Sequence, residues 1–174
     1  MNLACLTETG VHPGIAHLAR YCAELAGEDP LPRRRQFWPS RVADVITYLF
    51  VVDLLPGEDD YYVSLFGSRI TILFGMDCSK KRFSEISDEF VRGELRRTYD
   101  EVAASGKPLY LRGRYEWPEL SIGIERLLVP MIDDGGTVTS IIGLSIPDVS
   151  EDVLPFFAGQ GPARLIVDRV LTLQ

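Results

Sequence analysis

Apolar residues recur at three- and four-residue steps at Ile15, Leu18, Cys22 and Leu25, which predicts an amphipathic helix over 14–26. Arg20 and Glu24 fall on its other side, Gly27 closes it, and Glu28-Asp29-Pro30 follow as a linker. The pattern then breaks. Residues 31–39 mix prolines and arginines with Phe37 and Trp38, as an irregular exposed segment does, and Ser40 can cap a short helix over 41–46. Residues 49–54 and 61–66 are β-branched and aromatic runs flanking Pro56-Gly57-Glu58-Asp59-Asp60, which predicts a hairpin. Gly67 and Gly75 bracket a short helix over 68–74 with Ile70, Leu73 and Phe74 inward, and 76–86 reads as irregular. Ser87, followed by Asp88 and Glu89, marks a helix start. Val91, Leu95, Thr98 and Val102, with Tyr99 beside them, give this longest helix one apolar face until Gly106 and Pro108 stop it after Ser105.

A period of two then takes over. Leu109, Leu111, Tyr115 and Trp117 share one face of a strand, and Arg112, Arg114 and Glu116 share the other. Residues 122–131 form a nearly continuous apolar strand broken by Glu125 and Arg126. Asp133-Asp134-Gly135-Gly136 is a hairpin turn, because Asp-Gly and Gly-Gly tolerate positive φ. Residues 137–146 form the third strand of this group, ended by Pro147. In the tail, Leu154-Pro155-Phe156-Phe157 is an apolar patch, and 165–171 fits helix and strand equally. Two strands, a helical block and three strands indicate an α+β fold with an antiparallel sheet. The expected organisation is a helical extension over 1–30, a domain over 31–147 and a tail over 148–174.

Composition narrows the classes. With 174 residues, 46% hydrophobic and 25% charged, the chain can build its own core without staples. Acids outnumber bases by 25 to 18, for a net charge of −7, which argues against phosphate-driven nucleic-acid binding. No run of about 18 apolar residues is present, and no secretory signal, so a membrane partner is not expected. Three widely spaced cysteines, Cys5, Cys22 and Cys78, suit reduced thiols in the cytoplasm.

The element order is that of the PAS fold. The lead-in "LPRRRQFWPSRV", the strand "ITYLFVVDL", the stretch "YYVSLFGSRITILFGMDCSKKRFSEI" and the hairpin "IERLLVPMIDDGGTVTSIIGLS" together resemble the stand-alone PAS-domain proteins of proteobacteria, over roughly residues 31 to 146. The resemblance implies a PAS-like five-stranded antiparallel sheet cupped around helices, with an extra N-terminal amphipathic helix beside it. It also implies a sensory or protein-interaction module. Some such domains enclose a small ligand between the long helix and the sheet, and none is general to this branch.

Sharper chemistries find little support. Gly75-Met76-Asp77-Cys78 resembles the start of the light-oxygen-voltage flavin signature, but Asp77 replaces its asparagine and residues 109–146 contain no Asn or Gln for a flavin edge. Residues 88–105 hold no histidine for haem. His12, His17 and Cys22 lack metal-site spacing, and no Cys-x-x-Cys exists. No nucleophile elbow, P-loop or zinc-protease motif occurs. No cofactor, metal or catalytic residue is therefore expected. The catalytic rival is a cone-shaped isomerase using Glu125 as a base in an apolar cavity; Glu125 is equally placed to pair with Arg126 or Arg114. Arg33-Arg34-Arg35 beside Trp38 reads as a solvated cluster.

A ligand cavity, if built, takes apolar walls and a few polar groups. The helix offers Leu95, Tyr99 and Val102; the strands offer Leu111, Tyr115, Trp117, Ile124 and Leu128; the polar candidates are Arg69 and Arg126. An inward Arg126 needs a counter-anion, either a ligand carboxylate or a protein acid such as Glu125. Apolar residues on both sheet faces also demand an outer cover, which the helix over 14–26 provides or replaces by pairing with its twin in a homodimer. The reading is a non-catalytic cytoplasmic PAS-type module in bacterial signalling that binds a small-molecule ligand or a signalling protein.

Overall fold

The strand-favouring runs assemble into one antiparallel sheet of six strands in the order β2-β1-β5-β4-β3-β6. The computed structural model describes residues 6, 10–86, 88–89, 91–158, 160 and 163–173. The strands are β1 (Leu49–Leu54), β2 (Tyr61–Phe66), β3 (Leu109–Glu116), β4 (Ser121–Ile132), β5 (Val138–Pro147) and β6 (Arg164–Thr172). The helices are α1 (Pro13–Ala26), α2 (Ser68–Phe74) and α3 (Arg96–Ser105). Asp133 closes the β4–β5 turn by accepting from the backbone N–H of Gly135 and of Thr137, each at 2.9 Å.

Because side chains alternate along each strand, the sheet has two apolar faces. Phe50, Val52, Leu111, Tyr115, Ile124, Leu128 and Ile141 point inward, against Ile70 and Leu73 of α2 and Tyr99 and Val102 of α3. Leu49, Val51, Tyr110, Leu127, Val129, Met131, Ile142 and Leu144 point outward, against α1. Thus α1 covers the outer face of its own sheet through Ile15, Leu18, Ala19 and Cys22, all 0% exposed. A lone helix of 14 residues is marginal in water. Burying Ile15 and Leu18 contributes about 1.5–3 kcal/mol each, so packing holds it. His12 caps its start, with Nδ1 accepting from the Gly14 N–H at 3.0 Å. Burial pushes the Cys22 thiol up to about 12, leaving it inert.

Several expectations are corrected. The short helix expected over 41–46 is instead a pair of 3₁₀ turns, Pro39–Val42 and Ile46–Tyr48. The segment is rich in β-branched residues (Val42, Val45, Ile46, Thr47), which resist α-helical χ1. The helix expected from Ser87 to Ser105 is regular only over α3; a π-turn, Val91–Leu95, precedes it around Gly93, a poor helix former. Ser87 and Cys5 lie outside the described residues. The expected five strands become six, because 165–171 extends the sheet beside β3. Gly113 makes that possible: a Cβ there would collide with the Ile166 carbonyl where β6 bulges across β3. Cys78 lies in the irregular stretch after α2, as expected for residues 76–86, and is 1% exposed in the inner core, where burial pushes its thiol up to about 11.

The turn and lead-in charges pair with one another. Arg33 Nε meets Asp29 at 2.8 Å, Arg34 Nε meets Asp53 at 3.4 Å, and Arg35 Nε meets Asp134 at 2.8 Å. Pairs this exposed contribute little, because solvent screens them. They anchor the arginine cluster to the sheet's end.

Candidate functional site

The inner face is apolar except at one place. Arg126 sits in the middle of β4, opposite Leu111 on β3 and Ser145 on β5. Opposed residues share a face, so Ser145, itself 4% exposed, lies on the same side as the guanidinium. Arg126 is 1% exposed. Its Nη2 donates to the Tyr99 hydroxyl at 2.6 Å. Its guanidinium carbon lies 5.1 Å from the Phe50 ring centre and 5.0 Å from that of Tyr99. Nε and Nη1 are buried and meet no acceptor among the described residues.

The charge is offset, but its donors are not all satisfied. Removing a charge from water costs several kcal/mol even after relaxation. Each desolvated cation–π contact returns about 2 kcal/mol and the Tyr99 hydrogen bond about 1.5–3 kcal/mol. Ring faces, however, do not satisfy the N–H groups in the guanidinium plane, and each buried donor without an acceptor costs about 1–3 kcal/mol. A cation in this position has room in its energetics for an acceptor.

Glu125 does not supply it. Successive strand residues face opposite sides, so Glu125 stands on the outer face while Arg126 points in. Its carboxylate instead accepts from Arg112 Nη2 at 2.6 Å, the Tyr110 hydroxyl at 3.1 Å and the His12 backbone N–H at 3.0 Å. The expected pairings with Arg126 or Arg114 are thereby corrected; Arg114 pairs with Glu116 and Asp168. Burial alone raises the Glu125 pKa, but the three donors outweigh it and hold the carboxyl below its ordinary range. A group held ionised outside the apolar core is not the raised-pKa base an isomerase needs.

Glu125 also predicts a pH effect. Its folded pKa is depressed, so its contribution is full above the unfolded value of about 4.3 and fades as pH falls through the lower folded value. In urea melts, the stability advantage of the native protein over Glu125→Gln should therefore shrink steadily below about pH 4.3. An advantage independent of pH would contradict the assignment.

Of the residues expected to line a cavity, Leu95, Tyr99, Val102, Leu111, Tyr115, Trp117, Ile124 and Leu128 all lie in the inner core, and of these Tyr99 touches Arg126 and Leu111 pairs with it across the strands. Arg69 stands apart: it is ion-paired with Glu151 at the α2 end. Sequence reading missed Phe50 and Ser145. Phe50 carried a signal, since its alternate position in β1 opposes Gly143, and its ring occupies the space a Gly143 side chain would fill. Ring centres of Phe50, Tyr61 and Phe83 lie 5.9, 6.0 and 5.4 Å from that of Tyr99. Burial pushes the Tyr99 hydroxyl up to about 12, with Arg126 opposing the shift, so it stays protonated. It accepts from Arg126 and keeps its own O–H to donate. The cluster is therefore a set of donors in an aromatic enclosure. A separate crevice of about 700 Å³ opens on the outer side, lined by His12, Arg112, Glu125, Asp148, Ser150 and Asp168. Its Glu125 and Asp168 already have cationic partners.

A family model described as a PAS domain matches residues 11–146. The chain belongs to the PAS-domain family. The match begins two residues before α1, so the helix that covers the outer face lies within the matched span of this PAS domain. No curated protein matches the chain. Among solved structures, the VqmA dimer of Vibrio cholerae in the absence of target DNA is 16% identical, over 62% of this chain and 49% of that chain, with a TM-score of 0.43. The PAS domain of Bordetella pertussis BvgS is 16% identical over 57% of this chain and 73% of its own, with a TM-score of 0.39. The Rhodobacter sphaeroides LOV protein is 14% identical over 64% and 69%, with a TM-score of 0.41. This PAS domain spans less than half the length of the VqmA chains it matches. The assignment rests on the family match. Among the described residues, no helix is long and apolar enough to cross a membrane, and no cluster of three potential metal ligands occurs.

Proposed function

We propose that this PAS domain is a sensory module of bacterial signalling that acts in the cytoplasm by recognising a small ligand between α3 and the inner sheet face, without catalysing a reaction. The observation that supports this is the buried Arg126 cation, which no described residue neutralises. A filled structural core gains nothing from such a group, since apolar replacements of buried ions are often neutral or stabilising. The net charge of −7 speaks against nucleic acid as the partner. A metabolite panel read by thermal shift tests the reading. A true ligand stabilises by RT ln(1 + [L]/Kd). A flat response across the panel would overturn it in favour of a pure protein-interaction domain.

The module also acts as a homodimer through α1 in this reading. The apolar side of α1 is spent on its own sheet, so the contact uses the exposed side that carries Arg20 and Glu24. Two antiparallel copies set these residues against each other. Sedimentation should show a dimer that Arg20→Glu dissociates and Arg20→Glu with Glu24→Arg restores. A monomeric native protein would end the proposal.

A further inference from the structure

We propose that the ligand is a monoanion, a small carboxylate on a flat apolar body, and that Arg126 and Tyr99 bind its carboxylate. This deepens the ligand-sensing reading and rests on it. Three observations carry it. Arg126 Nε and Nη1 are donors at 1% residue exposure with no described acceptor. The Tyr99 hydroxyl accepts from the guanidinium, which leaves its own O–H as a second donor beside the first. Ser145 sits across the strand pair on the same face. Arginine carries a permanent positive charge and presents five N–H groups. Donors without a matching acceptor select an acceptor-only group, and a carboxylate is the compact form of one.

The charge count chooses among anions. One guanidinium neutralises one negative charge. A phosphate monoester near its dianionic form would bring a second charge into the same apolar enclosure uncompensated. The walls choose the rest of the molecule: Phe50, Tyr61, Phe83 and Tyr99 meet at ring-centre separations of 5.4 to 6.0 Å. These rings touch one another, so a ligand enters by their repacking, and they then meet a flat apolar body by stacked or edge contacts.

The test uses the full chain with sodium benzoate as the probe. Benzamide and benzyl alcohol serve as neutral isosteres, and sodium chloride matches ionic strength. Benzoate should raise the melting temperature by several degrees at saturating concentration, and the isosteres and salt should not. It should also move the Arg126 Nε–H resonance in a nitrogen-proton correlation spectrum of the native protein, a readout that needs no variant. Arg126→Met should lose the benzoate response while melting no lower than the native protein without ligand, because a buried unpaired cation has been removed. Tyr99→Phe should weaken the benzoate response. Failure of the inference and failure of the ligand-sensing reading look different. Stabilisation by neutral panel compounds only, retained in Arg126→Met, would overturn the anion assignment and leave ligand sensing standing. No stabilisation by any compound of either charge, with an unmoved Arg126 resonance, would overturn both.

Discussion

Gly113→Ala should detach β6 from the sheet and destabilise the protein by about 1–3 kcal/mol, the range for forcing atoms into a packed site. The new Cβ would lie inside van der Waals contact of the Ile166 carbonyl carbon and oxygen. Those are backbone atoms, so no rotamer change relieves the clash. The pairing of β3 with β6 shifts register between Arg112 and Gly113, where β6 carries its extra residue, Asp168. The bulge therefore has to leave or flatten. Amide hydrogen exchange should show protection lost over β6 and kept in β1, β4 and β5, alongside a lower melting temperature. Unchanged protection over β6 would show that the bulge tolerates a side chain at that position.

Phe50→Ala should cost more, about 3–5 kcal/mol, the range for truncating a buried aromatic. Phe50 is 3% exposed and packs against both Tyr99 and the Arg126 guanidinium. Its removal leaves a cavity and takes away one of the two rings that face the cation. The ring also fills the place above Gly143, where a Cβ would overlap its far edge. Gly143→Ala should thus destabilise by about 1–3 kcal/mol by overpacking, and Phe50→Leu by a comparable amount through lost burial. The double variant should lose less than the sum, since the smaller side chain makes room for the added methyl; residues in contact couple by about 0.5–3 kcal/mol. Urea melts of the four proteins measure the cycle. Strict additivity would show that the two positions do not share the space.

Much of this PAS domain is written locally. The hairpin at residues 56–60 and the turn at 133–136 follow from Pro, Gly and Asp chemistry that acts within four residues. The inward set Leu109, Leu111, Tyr115 and Trp117 follows from the period of two, and all four are buried in the inner core. The apolar stripe of α1 follows from the period of 3.6. The misread places are those where a distant segment decides. Residues 165–171 have no dominant period, and they became a strand because β3 offered a free edge and Gly113 offered space. Arg69 and Arg126 look alike in a sequence, as inward-pointing candidates near apolar residues. Glu151, from beyond the last hairpin, claimed the first, and no described carboxylate claimed the second, which meets only Tyr99 and the rings among the described residues.

By itself the chain determined its first five strands, its turns, the two apolar sheet faces and the amphipathic cover, because each depends on neighbours a few bonds away and on an alternation that geometry imposes. Only the tertiary structure decided that α1 lies on its own sheet, that Glu125 turns to Arg112 and Tyr110, and that Arg126 is left among rings without a counter-charge. Charge pairing depends on distance in space, and residues adjacent in a strand are sent to opposite sides of the sheet, so neighbouring opposite charges in the sequence were the pair least able to meet.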